Sequence, residues 1–171
     1  MEEQKTLSTE VASEGYDAAD RPFDFLGDGS TTALVCDSDP AVREKICSRL
    51  KELGYLITVP VSAKDALKAM RFCLFDILVV NEHFDTANPE MNDLLQHLEN
   101  LNMAIRRRLF VALISEKCET MDNMAAFRRS VNIVINPRDV DEIGKIVKHG
   151  IADDKVFYHV FQETLQKTGK A

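Results

Sequence analysis

The chain has no tryptophan, no CxxC pair and no apolar run near the ~18 residues that a membrane-spanning helix needs. Its four cysteines stand at 36, 47, 73 and 118, and its four histidines are scattered, so neither forms a metal-ligand spacing. Both are read as carrying no metal and no cofactor, with Cys36 and Cys47 as thiols on apolar faces. Aromatic residues are 7% of the chain, and the opening Met1-Glu2-Glu3-Gln4-Lys5 lacks the basic and apolar regions of a secretory signal. A cytoplasmic protein is the expectation. No GxSxG, Walker or GxGxxG pattern occurs, which removes the common nucleophile-elbow and phosphate-loop chemistries.

What is present is an ordinary globular profile with 45% hydrophobic and 29% charged residues. The net charge of -7 is uneven. Residues 1–30 hold eight acidic against two basic side chains, whereas residues 31–171 are nearly balanced. Nothing there makes a footprint for nucleic acid; the one basic run, Arg106-Arg107-Arg108, reads as a solvated turn before a strand. Residues 1–30 show no sustained periodicity and are expected to form a flexible acidic leader. Within it, Phe23, Phe25 and Leu26 interrupt the polar run, so Arg21-Pro22-Phe23-Asp24-Phe25-Leu26 is read either as docking on the domain or as part of an unattached tail.

From residue 31 a strand–helix rhythm begins. Ala33-Leu34-Val35-Cys36 is an apolar run. Asp39 then serves as N-cap and Pro40 as first helical residue, with Val42, Ile46, Leu50 and Leu53 at helical spacing and Gly54 ending the helix. Residues 55–61 read as a second strand. Ser62 caps a helix over 63–72, with Asp65 three places on. Ile77-Leu78-Val79-Val80 belongs in a sheet centre. Asn88-Pro89 opens a helix through Leu101; 109–114 is a strand, 120–129 a helix and 133–135 a strand. Val140, Ile143, Ile146 and Val147 mark a further helix. After Gly150, Val156, Phe157, Val160, Phe161 and Leu165 share one face of a separate candidate helix. Five β–α units in a row imply a parallel sheet covered on both faces, with any ligand site at the carboxyl ends of the strands.

At those ends the residues resemble the receiver domains of two-component response regulators. Leu34-Val35-Cys36-Asp37-Ser38-Asp39-Pro40 resembles the first strand and acidic loop, and Phe75-Asp76-Ile77-Leu78-Val79-Val80-Asn81 the strand that ends in the phosphorylated Asp. Leu113-Ile114-Ser115 resembles the strand ending in Ser or Thr, and Ile133-Val134-Ile135-Asn136-Pro137 the one ending in Lys-Pro. The resemblance covers about residues 32–148. It implies a flavodoxin-like, doubly wound five-stranded parallel sheet in the order 2-1-3-4-5, with an extra C-terminal helix. The expected division is a leader over 1–30, a receiver-like domain over 31–150 and a helical extension over 151–171.

The departures decide the functional expectation. Asn81 stands at the phosphoacceptor position, and a carboxamide is a very poor nucleophile at phosphorus. Ser38 replaces one of the paired acids, leaving Asp37 and, off the family position, Asp39 or Glu82. Asn136 stands where the family has its Lys, and Ile133 where it has a switching aromatic. The degenerate pocket is therefore Asp37, Ser38, Asp39, Asn81, Ser115 and Asn136, with Asn81 and Asn136 expected to hydrogen-bond Asp37 and Ser115. The reading is a non-enzymatic pseudo-receiver that binds a protein, including a second copy of itself, through Arg128, Arg129, Arg138, Phe157 and Phe161. No nucleic acid or membrane partner is expected. The alternatives are a small-anion or nucleotide sensor in the neutralised crevice and, behind it, a small enzyme using Asp37, Asp39 or His83.

Overall fold

In a computed structural model that describes residues 30–169, five parallel strands form one sheet in the order 2-1-3-4-5. The strands are β1 (Thr32–Cys36), β2 (Leu56–Thr58), β3 (Ile77–Asn81), β4 (Phe110–Ile114) and β5 (Ile133–Ile135). The helices are α1 (Pro40–Glu52), α2 (Ala63–Phe72), α3 (Asp93–Glu99), α4 (Met103–Arg106), α5 (Asn123–Arg128) and α6 (Ile143–Lys167). The expected flavodoxin-like order is the observed one. The acidic leader, with its 21–26 stretch, lies outside the described residues.

Alternation along each strand sorts the core into two layers. Leu34, Leu78, Leu113 and Val134 face α2, α3 and α5, packing with Ala66, Leu94 and Ala125. Ala33, Val35, Val79, Ile114 and Ile135 face α1 and α6, packing with Ile46, Leu50, Ile143 and Val147. Because both faces are covered, the central strands are continuous apolar runs. Cys36 is buried, and burial raises its thiol pKa, with the neighbouring Asp37 adding to the shift.

The local rules hold at the first two helices. The Asp39 side chain accepts from the Ala41 and Val42 N–H groups and Pro40 follows as first residue. Gly54 adopts φ 87°, a left-handed conformation that ends α1 without Cβ strain. Ser62 Oγ accepts from the Asp65 N–H and donates to Asp65 Oδ2, closing a reciprocal cap.

Elsewhere tertiary bonds override periodicity. The strand expected over 55–61 shrinks to Leu56–Thr58 at the sheet edge, because Pro60 has no N–H to continue a ladder. The single helix expected from Asn88 to Leu101 is a 3₁₀ turn, Pro89–Met91, followed by α3. Asn92 separates them by accepting from the Leu94 and Leu95 N–H groups while donating to the Glu82 carbonyl. The helix expected from Thr120 begins only at Asn123, since Met121 takes φ 64° and Thr120 Oγ1 is used by the Asn136 N–H.

The largest difference is at the C-terminus, where the two expected helices are one. The boundary anticipated after residue 150 falls inside α6. Gly150 does not break this helix; it lets the helix lie against the sheet. A Cβ there would stand 2.9 Å from Phe110 Cζ and 3.1 Å from Ile133 Cδ1. Those are the first residues of β4 and β5, so Gly150 sits level with the amino edge of the sheet. The following seventeen residues of α6, about 25 Å of helix, project past that edge. The basic run pins this overhang. Arg106 donates to the Leu109 and Ser130 carbonyls and to Asn132 Oδ1, while Asn132 Nδ2 donates to Asp154. Arg107 lies over the Phe161 ring, 4.4 Å from its centroid.

Candidate functional site

The described residues hold five buried polar or charged side chains, and four of them meet at the carboxyl edge of the sheet: Asp37, Glu82, Asn92 and Ser115. Asp37 follows β1 and is 2% exposed. Both its carboxylate oxygens are occupied, Oδ1 by the Asp39 N–H at 2.8 Å and Oδ2 by Asn81 Nδ2 at 3.0 Å. Asn81, the last residue of β3, turns its Oδ1 to the His83 N–H at 3.0 Å. A carboxylate in place of that amide would lose the donor and face Asp37 as a like charge. The amide is what lets Asp37 stay buried.

Glu82 is the member whose part was not anticipated. It is 1% exposed, and Ser115 Oγ donates to its Oε1 at 2.9 Å. Its Oε2 is the one buried side-chain oxygen without a partner among the described residues. No local pattern marked it: it follows Asn81, the polar last residue of β3, and reads as a loop acid. Asn92 binds the Glu82 carbonyl from below, so the loop after β3 is stitched to the start of α3. The same loop reaches α2, whose Ala63 N–H donates to Asp85 Oδ2; Asp85 itself takes φ 55°.

Asn81 is bonded to Asp37 as expected, but Asn136 and Ser115 are not joined. Asn136 points away, capping the turn Pro137–Glu142 through its Oδ1 and donating to the Glu116 and Cys118 carbonyls. Its bonds hold the β4–α5 loop against the end of β5. Ser115 looks the other way, to Glu82. Ser38 and Asp39 are exposed on the crevice wall. The interface residues are spread rather than gathered. Arg138, at the carboxyl edge, pairs with Glu119; Arg129 closes α5 and lies 3.6 Å from Glu90. Arg128 is the last residue of α5. Phe157 is 79% exposed on the overhang, and Phe161 lies beneath Arg107.

Above the buried group is a cavity of about 240 Å³ lined by Asp37, Ser38, Asp39, Val42, Asn81, Glu82, His83, Ile114, Glu116 and Pro137. Four of these are carboxylates and none is Lys or Arg. A phosphate or nucleotide would meet four carboxylates with no Lys or Arg in the lining, Arg43 donating instead to the Asp37 carbonyl at 3.2 Å, so the lining opposes the anion-sensor alternative. Ser115, Glu82 and His83 are neighbours, yet they do not make a nucleophile and base. The hydroxyl is 2% exposed and bonds the carboxylate, and His83 Nε2 lies 3.9 Å from Glu82 Oε1, beyond hydrogen-bond reach. Among the described residues no group of three or more His, Cys, Asp or Glu converges as a metal cage.

The Glu82–Ser115 pair gives a direct test. Ser115→Ala leaves both oxygens of a buried carboxylate without a donor and is expected to cost about 2–3 kcal/mol in urea unfolding. In a Glu82→Gln background the same change is expected to cost only about 1 kcal/mol. Equal costs in both backgrounds would show that the two side chains are not coupled.

No protein-family model matches the sequence, and no curated protein matches it. Solved structures do match the fold. The receiver domain of the Francisella response regulator 1452 is 20% identical, with a TM-score of 0.56 over 70% of this chain and 95% of its own. HP1043, an orphan response regulator of H. pylori, is 15% identical, with a TM-score of 0.55 over 71% and 97%. NtrX from Brucella abortus is 19% identical, with a TM-score of 0.60 over 83% of this chain but only 30% of its own length. At these identities the likeness establishes the fold: the chain has the architecture of response-regulator receiver domains. No helix among the described residues is long and apolar enough to cross a membrane.

Proposed function

We propose that the chain is a phosphorylation-independent pseudo-receiver, a protein-interaction module of two-component signalling that performs no chemistry of its own. The observation that carries this reading is the 3.0 Å bond from the Asn81 amide to Asp37. In a phosphorylatable site that position presents a carboxylate oxygen to the donor and a cation neutralises the charge that develops. Here the amide is consumed in holding Asp37, and no lysine lines the crevice. The likeness in fold to receiver domains supports the signalling context. The organisation belongs to the same proposal, with a leader over 1–30, a receiver-like domain from 31 to about 150 and an extension over 151–171 that continues the domain's own last helix, α6, without a break.

The readout is fixed in the same sense. Ser115 is held by Glu82 rather than free to follow an incoming group. Ile133 is 5% exposed in the core beneath α6, a stiff β-branched side chain with no outward rotamer to take. The module therefore presents one surface at all times. Its most prominent feature is the overhang of α6, on which Val156, Phe157 and Val160 are each more than 70% exposed. A second copy would meet this helix symmetrically. Three such side chains offer on the order of 400 Å², about half of the ~800 Å² that each partner gives a standard interface. A homodimer would therefore have to recruit further surface.

The test is binding that ignores phosphodonors. Sedimentation and capture of native-cell proteins by the intact protein are expected to be unchanged by a small phosphodonor with Mg²⁺. A partner gained or lost on that treatment would contradict the proposal.

A further inference from the structure

The fold leaves one oxygen of the buried Glu82 carboxylate without a donor. Ser115 Oγ serves Oε1, while Oε2, on a side chain 1% exposed, has no partner among the described residues. A buried acceptor left unmet is destabilising, and a donor from outside the chain would relieve it. The carboxylate lies at the crevice wall. His83 lines the same cavity with its side chain 49% exposed, and its Nε2 is 3.9 Å from Glu82 Oε1. Two other carboxylates in the lining have capacity to spare. Asp39 accepts the α1 N–H groups through Oδ1, which leaves Oδ2 for another donor. Glu116 is exposed at the lining. Asp37 differs, since both its oxygens are already engaged.

The geometry also selects the kind of cation. The carboxylates do not converge on one centre, so a compact ion could not satisfy several of them. A guanidinium matches a dispersed set better, because its five N–H donors lie in a planar fork and it is weakly hydrated. Val42 and Pro137 in the lining offer an apolar wall for the methylene stem of such a side chain. The chain's own arginines are committed elsewhere at this edge: Arg43 donates to the Asp37 carbonyl at 3.2 Å, and Arg138 pairs with Glu119. We propose that the crevice receives an arginine side chain of a partner protein, whose guanidinium donates to Glu82 Oε2 between Asp39 and Glu116. This rests on the reading of the chain as an interaction module, and it names the chemistry that the partner brings to that edge.

The probe is N-acetyl-arginine amide, titrated into the full chain and followed by amide NMR. Its neutral isostere, N-acetyl-citrulline amide, and Mg²⁺ are titrated in parallel. The arginine amide is expected to shift the Glu82, His83 and Glu116 signals saturably in the millimolar range. Citrulline amide is expected to bind at least about tenfold more weakly, and high salt to weaken the arginine amide. Glu82→Gln is expected to lower the affinity about tenfold. Glu116→Gln, at an exposed position where the fold does not depend on the charge, is expected to lower it about threefold. Absence of a saturable shift would overturn the proposal, as would equal binding of citrulline amide. Mg²⁺ moving the same signals at lower concentration than the arginine amide would also overturn it, by assigning the carboxylates to a metal ion. The first two failures would leave binding that ignores phosphodonors untouched, so this inference can fall while the pseudo-receiver reading stands.

Discussion

Asn81→Asp is expected to destabilise the protein by about 3 kcal/mol at pH 7, lowering its melting temperature by roughly 10 °C. The substitution changes one atom group in size hardly at all. It converts the donor on Asp37 Oδ2 into a second carboxylate about 3 Å away, in a place where Asp37 is 2% exposed. One hydrogen bond is lost and a second, half-buried carboxylate stands beside the buried Asp37 with no lysine in the crevice lining. The penalty has a predictable pH dependence. Two adjacent carboxylates resist ionising together, so one of them keeps its proton to a higher pH in the folded variant than in the unfolded chain. The deficit is therefore complete above that raised pKa and disappears as pH falls below the ordinary carboxylate range. Urea unfolding of both proteins at neutral and acid pH measures it. A variant as stable as the parent at pH 7 would mean that the amide is not what sustains the buried Asp37.

Gly150→Val is the second large effect, expected at about 3 kcal/mol of lost stability. In an isolated helix, replacing glycine by alanine gains close to 1 kcal/mol. At this position the first added carbon already meets the Phe110 ring at 2.9 Å and Ile133 at 3.1 Å. Phe110 is 7% exposed and Ile133 5%, so neither has open space to retreat into. The added methyls of valine must lift α6 from β4 and β5, or push Phe110 off its rotamer. Thermal and urea unfolding would report the loss. A valine variant as stable as the parent would show that α6 does not seat against the amino edge, and the overhang would lose its anchor.

These two positions show what the sequence makes legible. Apolar runs at 33–36, 77–80 and 133–135, joined by capped helices, are enough to foresee a doubly covered parallel sheet, because burial on both faces leaves a compositional mark. Asp37, Asn81 and Ser115 could be placed at one edge for the same reason, since each directly follows or ends such a run. What escaped was set by contacts between distant residues. Gly150 reads as a stop signal in one dimension and is a contact with Phe110 in three. Asn92 interrupts a periodic helix because its side chain serves both the Leu94 and Leu95 N–H groups and the Glu82 carbonyl. Asn136 turned to the β4–α5 loop rather than to Ser115, whose hydroxyl Glu82 had already engaged. No local pattern distinguishes a glutamate that is 1% exposed from one on a solvated loop.

The most direct measurement is the intact mass of the unaltered protein after incubation with acetyl phosphate and Mg²⁺, alongside a receiver domain known to accept the group. The account predicts an unchanged mass for this chain under conditions that modify the control. A hydroxylamine-sensitive phosphoryl adduct mapping to residues 37–39 or 81–82 would contradict it.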